Sequence, residues 1–123
     1  MTHQSVRDIK RAQKERLLLR HVADLFHQAT LDDPRLNDIF VNRVSLSPDK
    51  SLCTVFFYTN HGKEYFKEKL EFLKLYKPSL RKAIATAIKS RYVPNFKFAF
   101  DEHFEKQEKI EQLFEQIKTE DES

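Results

Sequence analysis

FLKLYKPSLRKAIATAIKSRYVPNFKFAF, residues 72–100, carries Lys74, Lys77, Arg81, Lys82, Lys89, Arg91 and Lys97 and neither Asp nor Glu. Its middle, 78–91, consists of good helix formers, and Pro78 suits the first helical position, where an N–H would have no intrahelical partner. On a helical wheel Leu80, Ala83, Ile84, Ala87 and Ile88 share one face, while Arg81, Lys82 and Lys89 lie on the other with small Ala85 between them. Such a helix can bury its apolar back and offer cations to a phosphate chain, or it can simply be wet on its outer side. Upstream, Phe66, Leu70 and Leu73 recur at helical spacing over 63–75, and Pro78 cannot continue that helix smoothly. Downstream, Tyr92-Val93-Pro94-Asn95 breaks the pattern, and Phe96, Phe98 and Phe100 alternate with Lys97, Ala99 and Asp101 as in a strand whose phenylalanines face the helices. The stretch therefore predicts helix, break, helix, strand.

Two further runs, 39–46 and 52–59, are rich in Val, Phe and Tyr, and Ser47-Pro48-Asp49-Lys50 between them is turn chemistry, so an antiparallel hairpin precedes the helices. In the second run Cys53, Val55 and Phe57 alternate with Leu52, Phe56 and Tyr58, so both sides are apolar and the strand is expected at the centre of the sheet. Phe56 and Tyr58 are read as buried in preference to base-stacking. Asn60-His61-Gly62 is the turn out of the sheet. Ahead of the hairpin, Ser5 with Asp8 three residues on starts a helix that should run to about residue 29, apolar along Leu18, Leu19, Val22, Leu25, Phe26 and Ala29. Its first turns hold Arg7, Lys10, Arg11 and Lys14. Asp33-Pro34 stops it, because the residue before proline is pushed out of the α region. Adjacent Asp32 and Asp33 read as a turn and not as an acid/base pair, which needs carboxylates converging from different elements.

The chain has 123 residues and a formal net charge of +3, enough for one core. That small net charge hides an asymmetry: residues 101–123 hold nine of the 19 acids and three of the 22 bases, leaving +9 on residues 1–100. The single cysteine, Cys53, permits no internal disulfide and reads as a buried apolar residue of a cytoplasmic protein. No apolar run approaches the roughly 20 residues of a membrane span. His3, His21, His27, His61 and His103 are scattered without metal-ligand spacing, and one glycine cannot build a phosphate-cradling loop, so neither a metal, a cofactor nor an enzyme is expected. Over 103–118, Phe104, Ile110, Leu113, Phe114 and Ile117 alternate with Glu105, Glu108, Glu111 and Glu115. This is a last amphipathic helix that either packs on the sheet or another chain, the reading preferred, or lays its acids over the basic face.

The expected fold is α+β: α-β-β-α-(break)-α-β plus a C-terminal helix, with a three-stranded sheet and helices on one face. Residues 1–101 would form the domain and 102–123 an acidic helix and tail. That order resembles a type II KH domain, an RNA-binding architecture, although the usual GxxG helix junction is absent. The particular residues resemble the bacterial ribosome-binding factor A family over about 5–101. They are the early basic helix, Asp33-Pro34-Arg35-Leu36, Val44-Ser45-Leu46-Ser47-Pro48-Asp49, Leu80-Arg81-Lys82, and Arg91-Tyr92-Val93-Pro94-Asn95-Phe96-Lys97-Phe98 before Asp101. Where that family has an Ala-x-Gly kink, this chain reads Tyr76-Lys77-Pro78. The resemblance implies a non-enzymatic assembly factor that binds the free or immature small ribosomal subunit through its ribosomal RNA and assists late maturation, often with importance in the cold.

The RNA-binding surface expected from the residues comprises Lys74, Lys77, Arg81, Lys82, Lys89 and Arg91 around the helix junction, flanked by Arg7, Lys10, Arg11 and Lys14, on a monomer that does not engage membranes. Two other readings stay open: a protein-interaction module using the basic face and the last helix, and a KH-like binder of single-stranded RNA unrelated to the ribosome.

Overall fold

A computed structural model describes residues 5–89 and 92–122. Helix α1 (Val6–Asp32) leads through a short 3-10 turn (Pro34–Leu36) to strands β1 (Phe40–Leu46) and β2 (Leu52–Tyr58), helices α2 (Gly62–Lys74) and α3 (Lys77–Ile88), strand β3 (Asn95–Phe100) and helix α4 (Glu102–Glu122). The sheet order is β1-β2-β3, with β1 antiparallel and β3 parallel to β2. A parallel neighbour needs a crossover, and α2 and α3 supply it.

Each boundary has a local cause. Ser5 Oγ accepts the Asp8 N–H at 3.2 Å, the expected cap. Helix α1 continues to Asp32, past residue 29, because the Asp33 N–H still reaches the Ala29 carbonyl at 2.8 Å before Pro34 ends the run. In the hairpin turn Asp49 Oδ1 accepts the hydroxyls of Ser47 and Ser51, each at 2.7 Å, and the Ser51 N–H at 3.1 Å, while Lys50 takes a left-handed φ of 63°. Gly62, at φ 88°, turns the chain from β2 into α2.

The register puts Cys53 beside Phe96, Val55 beside Phe98 and Phe57 beside Phe100, so β2 and β3 present one continuous apolar face. Leu18, Val22 and Phe26 of α1, Phe66 and Leu73 of α2, and Leu80 and Ile84 of α3 close over it. Phe57 is the hub: Phe26 and Phe98 meet it edge-on at 5.1 and 5.2 Å, and Phe66 stacks on it at 5.9 Å. Cys53 is fully buried, and burial pushes its thiol up to about 12, so it stays protonated as a small core residue.

Two expectations are corrected and a third is narrowed. Helix α3 stops at Ile88 instead of 91, because Lys89 adopts φ 53° and ends it in a left-handed cap. Ala83 and Ala87, assigned to the apolar back, are exposed, since α3 buries only the strip centred on Leu80 and Ile84. Helix α4 packs on the body only at its root: Phe104 meets Tyr58 at 4.6 Å, whereas Ile110, Leu113, Phe114 and Ile117 are each more than half exposed.

Candidate nucleic-acid interface

Helices α2 and α3 are separated by Leu75 and Tyr76 alone. The break is held by side chains. The Tyr76 ring lies 6.2 Å from that of Phe26, and its hydroxyl donates to Asp33 Oδ2 at 3.4 Å. Asp33 also accepts Arg35 Nε at 2.9 Å, Nη2 at 2.7 Å and the Arg35 backbone N–H at 3.1 Å. The Arg35 guanidinium, hydrogen-bonded to its carboxylate, holds Asp33 at a pKa of about 2. Arg35 in turn lies over the Phe72 ring at 4.2 Å. The Asp33-Pro34-Arg35 turn therefore clamps both sides of the junction, and Tyr76 points into the body where a kink of small residues would leave the backbone bare.

Around this junction Lys74 closes α2 and stands 3.5 Å from Glu71, an exposed pair one turn apart that screens the cation little. Lys77 opens α3 with its ammonium 5.2 Å from the Phe98 ring centroid. Arg81, one turn on, donates to Asn95 Oδ1 at 2.9 Å. Lys82 and Lys89 are exposed. Between Arg81 and Lys82 the outer surface of α3 is formed by exposed Ala85, too short to hold a ligand off, while Ala83 and Ala87, also exposed, lie on the opposite flank of the helix. Among the described residues Lys77, Arg81, Lys82 and Lys89 have no carboxylate within salt-bridge distance. Arg91 lies outside the described residues.

Helix α1 packs against α3, and Lys14 of α1 lines one groove with Arg81 of α3, Asp49 and Lys50 of the hairpin turn, Tyr92 ahead of β3 and Asn95 at its start. One of the four flank cations thus meets the α3 site. Arg7 and Lys10 are exposed further along α1, and Arg11 stands 3.5 Å from Asp8. Lys50 and Asn95 were not anticipated. Their only local signature is turn and strand-entry chemistry, and it is the pairing of the hairpin with β3, through the Asn95 N–H to the Ser51 carbonyl at 2.9 Å, that brings them to Arg81. The one acid in the groove, Asp49, has an oxygen already taken by three donors of its own turn.

The aromatic candidates for base stacking are occupied. Tyr58 is buried among Phe40, Phe100 and Phe104, and Phe56 lies beneath the Arg43 guanidinium at 3.8 Å. Asp33 serves the turn as described. Among the described residues no three His, Cys, Asp or Glu side chains are grouped to hold a metal ion, and no helix is long and apolar enough to cross a membrane.

Comparison with known proteins adds a family. Residues 10–114 match the family model for ribosome-binding factor A. Ribosome-binding factor A of Rhodopseudomonas palustris strain HaA2 is 37% identical over 99 residues, covering 78% of this chain and 73% of that protein. The crystal structure of the Thermus thermophilus factor superposes with a TM-score of 0.62 at 29% identity, over 73% of this chain and 93% of that one. A homology model of the Thermus thermophilus factor, as fitted into a cryo-electron-microscopy map of its complex with 30S, gives a TM-score of 0.51 at 30% identity, over 72% and 88% of the two chains.

Proposed function

Because the chain belongs to the ribosome-binding factor A family, we propose that it is a non-enzymatic assembly factor that binds the free or immature small ribosomal subunit through ribosomal RNA and assists late rRNA maturation. The observation that carries the reading is the outer surface of α3, where exposed Ala85 lies between Arg81 and Lys82 and, among the described residues, no carboxylate stands within salt-bridge distance of Arg81, Lys82 or Lys89. A phosphate chain can come close to such a surface because no long side chain holds it off, and the cations are not already neutralised. Lys74 and Lys77 extend the surface to the junction, and Lys14 and Lys50 extend it through the groove beside Arg81. Arg7, Lys10 and Arg11 form its outer flank, and Arg91, outside the described residues, is proposed as a further phosphate contact.

The mechanism is binding. RNA that exchanges among folds of similar energy shifts toward the fold that fits the protein, in proportion to the difference in affinity. Residues 1–101 carry this activity as a monomer in the cytoplasm, and its effect is largest in the cold, where wrong RNA pairings are slowest to dissolve.

The test is co-sedimentation with purified free small subunits and with joined ribosomes, before and after ribonuclease. Retention on free subunits that is lost with ribonuclease supports the reading. Retention that survives ribonuclease points to a protein-docking module, and tight binding to short single strands without retention on subunits points to a KH-like RNA binder of another kind.

A further inference from the structure

Helix α4 is anchored at its start, and among the described residues its large apolar side chains beyond Phe104 are exposed. Asp101, just ahead of the helix and 1% exposed, accepts the Phe104 N–H at 3.1 Å, Asn42 Nδ2 at 2.9 Å and Arg43 Nε at 2.8 Å. Lys63 pairs with Glu102, and Phe104 seats on Tyr58. From there an unbroken helix runs to Glu122, 21 residues or about 30 Å in all. Ile110, Leu113, Phe114 and Ile117, spaced three and four apart, form one stripe that is 52–67% exposed. A stripe of this size, on the order of 400–500 Å², is large for an isolated surface helix and is the kind that marks an interaction site.

Three occupants fail on physical grounds. The stripe cannot fold back on its own domain, because the root is pinned and the helix has no break between root and stripe. RNA is disfavoured, since residues 101–123 hold nine acids against three bases. A second copy is disfavoured as well, because two copies of a segment that holds nine acids against three bases repel one another.

We infer that α4 is an arm whose apolar stripe docks on a basic protein of the small subunit while the cationic body holds the RNA. This rests on the subunit-binding reading above. The acids on the back and edges of the arm complement such a protein. A patch too small to bind alone becomes effective because RNA binding by the body makes its docking intramolecular.

The test uses the full chain and purified free small subunits. Benzoylphenylalanine in place of Phe114, irradiated on the subunit, is expected to give an adduct with a basic protein of the subunit; an adduct with rRNA or with a second copy, or no adduct, overturns the inference. A variant combining Ile110→Gln, Leu113→Gln, Phe114→Gln and Ile117→Gln, with helicity checked by circular dichroism, is expected to bind protein-free rRNA like the wild type and whole subunits about tenfold less tightly. Unchanged affinity for whole subunits overturns the arm alone, and so does equal weakening on protein-free rRNA. A wild-type chain that fails to bind subunits overturns the arm together with the function on which it rests.

Discussion

Asp101 does more than its place in the sequence suggests. Read as the polar end of an alternating strand, it turns out to be buried and to tie β1 to the root of α4 through Asn42 and Arg43. Its partners lie 58 and 59 residues away, and no local pattern links them; only the register that brings β3 beside β2, and β2 beside β1, does so. Burial pushes the Asp101 pKa up, but the Arg43 and Asn42 hydrogen bonds and the Phe104 N–H outweigh it and leave the carboxyl below its ordinary 3.8. The folded state therefore holds this proton less tightly than the unfolded chain. The resulting stability is fully present above the unfolded pKa and is lost as pH falls through the folded one. Asp101→Ala should cost about 2–4 kcal/mol at pH 7, from charge-assisted hydrogen bonds and the helix cap together. Urea unfolding of the wild type and variant at pH 7 and pH 3 checks this, with the gap narrowing at the lower pH. By contrast, the Ser5 cap and the Ser47-Pro48-Asp49-Lys50 turn were legible because their partners lie within a few residues of each other.

At the scale of the element, α3 shows where helical periodicity informs and where it misleads. The wheel places Leu80 and Ile84 in the core, where they lie, and places Ala83 and Ala87 with them, where they do not. A methyl group is apolar enough to join a face on paper but gains too little from burial to direct packing, so the two large side chains set the angle of the helix. Ala83→Gln should then change stability by less than about 0.5 kcal/mol, as at other surface positions. Were Ala83 in the core, overpacking would cost about 1–3 kcal/mol, which thermal unfolding distinguishes readily. Helix α4 is the mirror case. Its pattern of Phe104, Ile110, Leu113, Phe114 and Ile117 reads correctly as amphipathic, but periodicity cannot say whether the partner belongs to the same chain. Truncation after Glu108 should leave the melting temperature of the body within about 2 °C of the full chain, because every side chain described beyond that point is exposed. A large drop would mean that the helix braces the core.

For the whole molecule the deciding feature is the separation of charge. Residues 1–100 carry +9 and the remainder is acidic, and the fold keeps α4 clear of the sheet beyond its root. The order of elements and the acid-free stretch were readable in advance, since both follow from local periodicity and composition. The groove joining Lys14, Lys50 and Arg81 was not, because it forms where three distant segments meet. RNA binding by this surface should carry the mark of counterion release. The most direct measurement is the affinity for protein-free small-subunit rRNA as a function of salt, for the wild type and for the Arg81→Glu, Lys82→Glu, Lys89→Glu variant. With about six phosphate contacts the wild type should show a log–log slope near −4, and the variant, folded but with three contacts removed, a far weaker affinity and a slope near −2. A folded variant that binds with the wild-type affinity and slope would contradict the account.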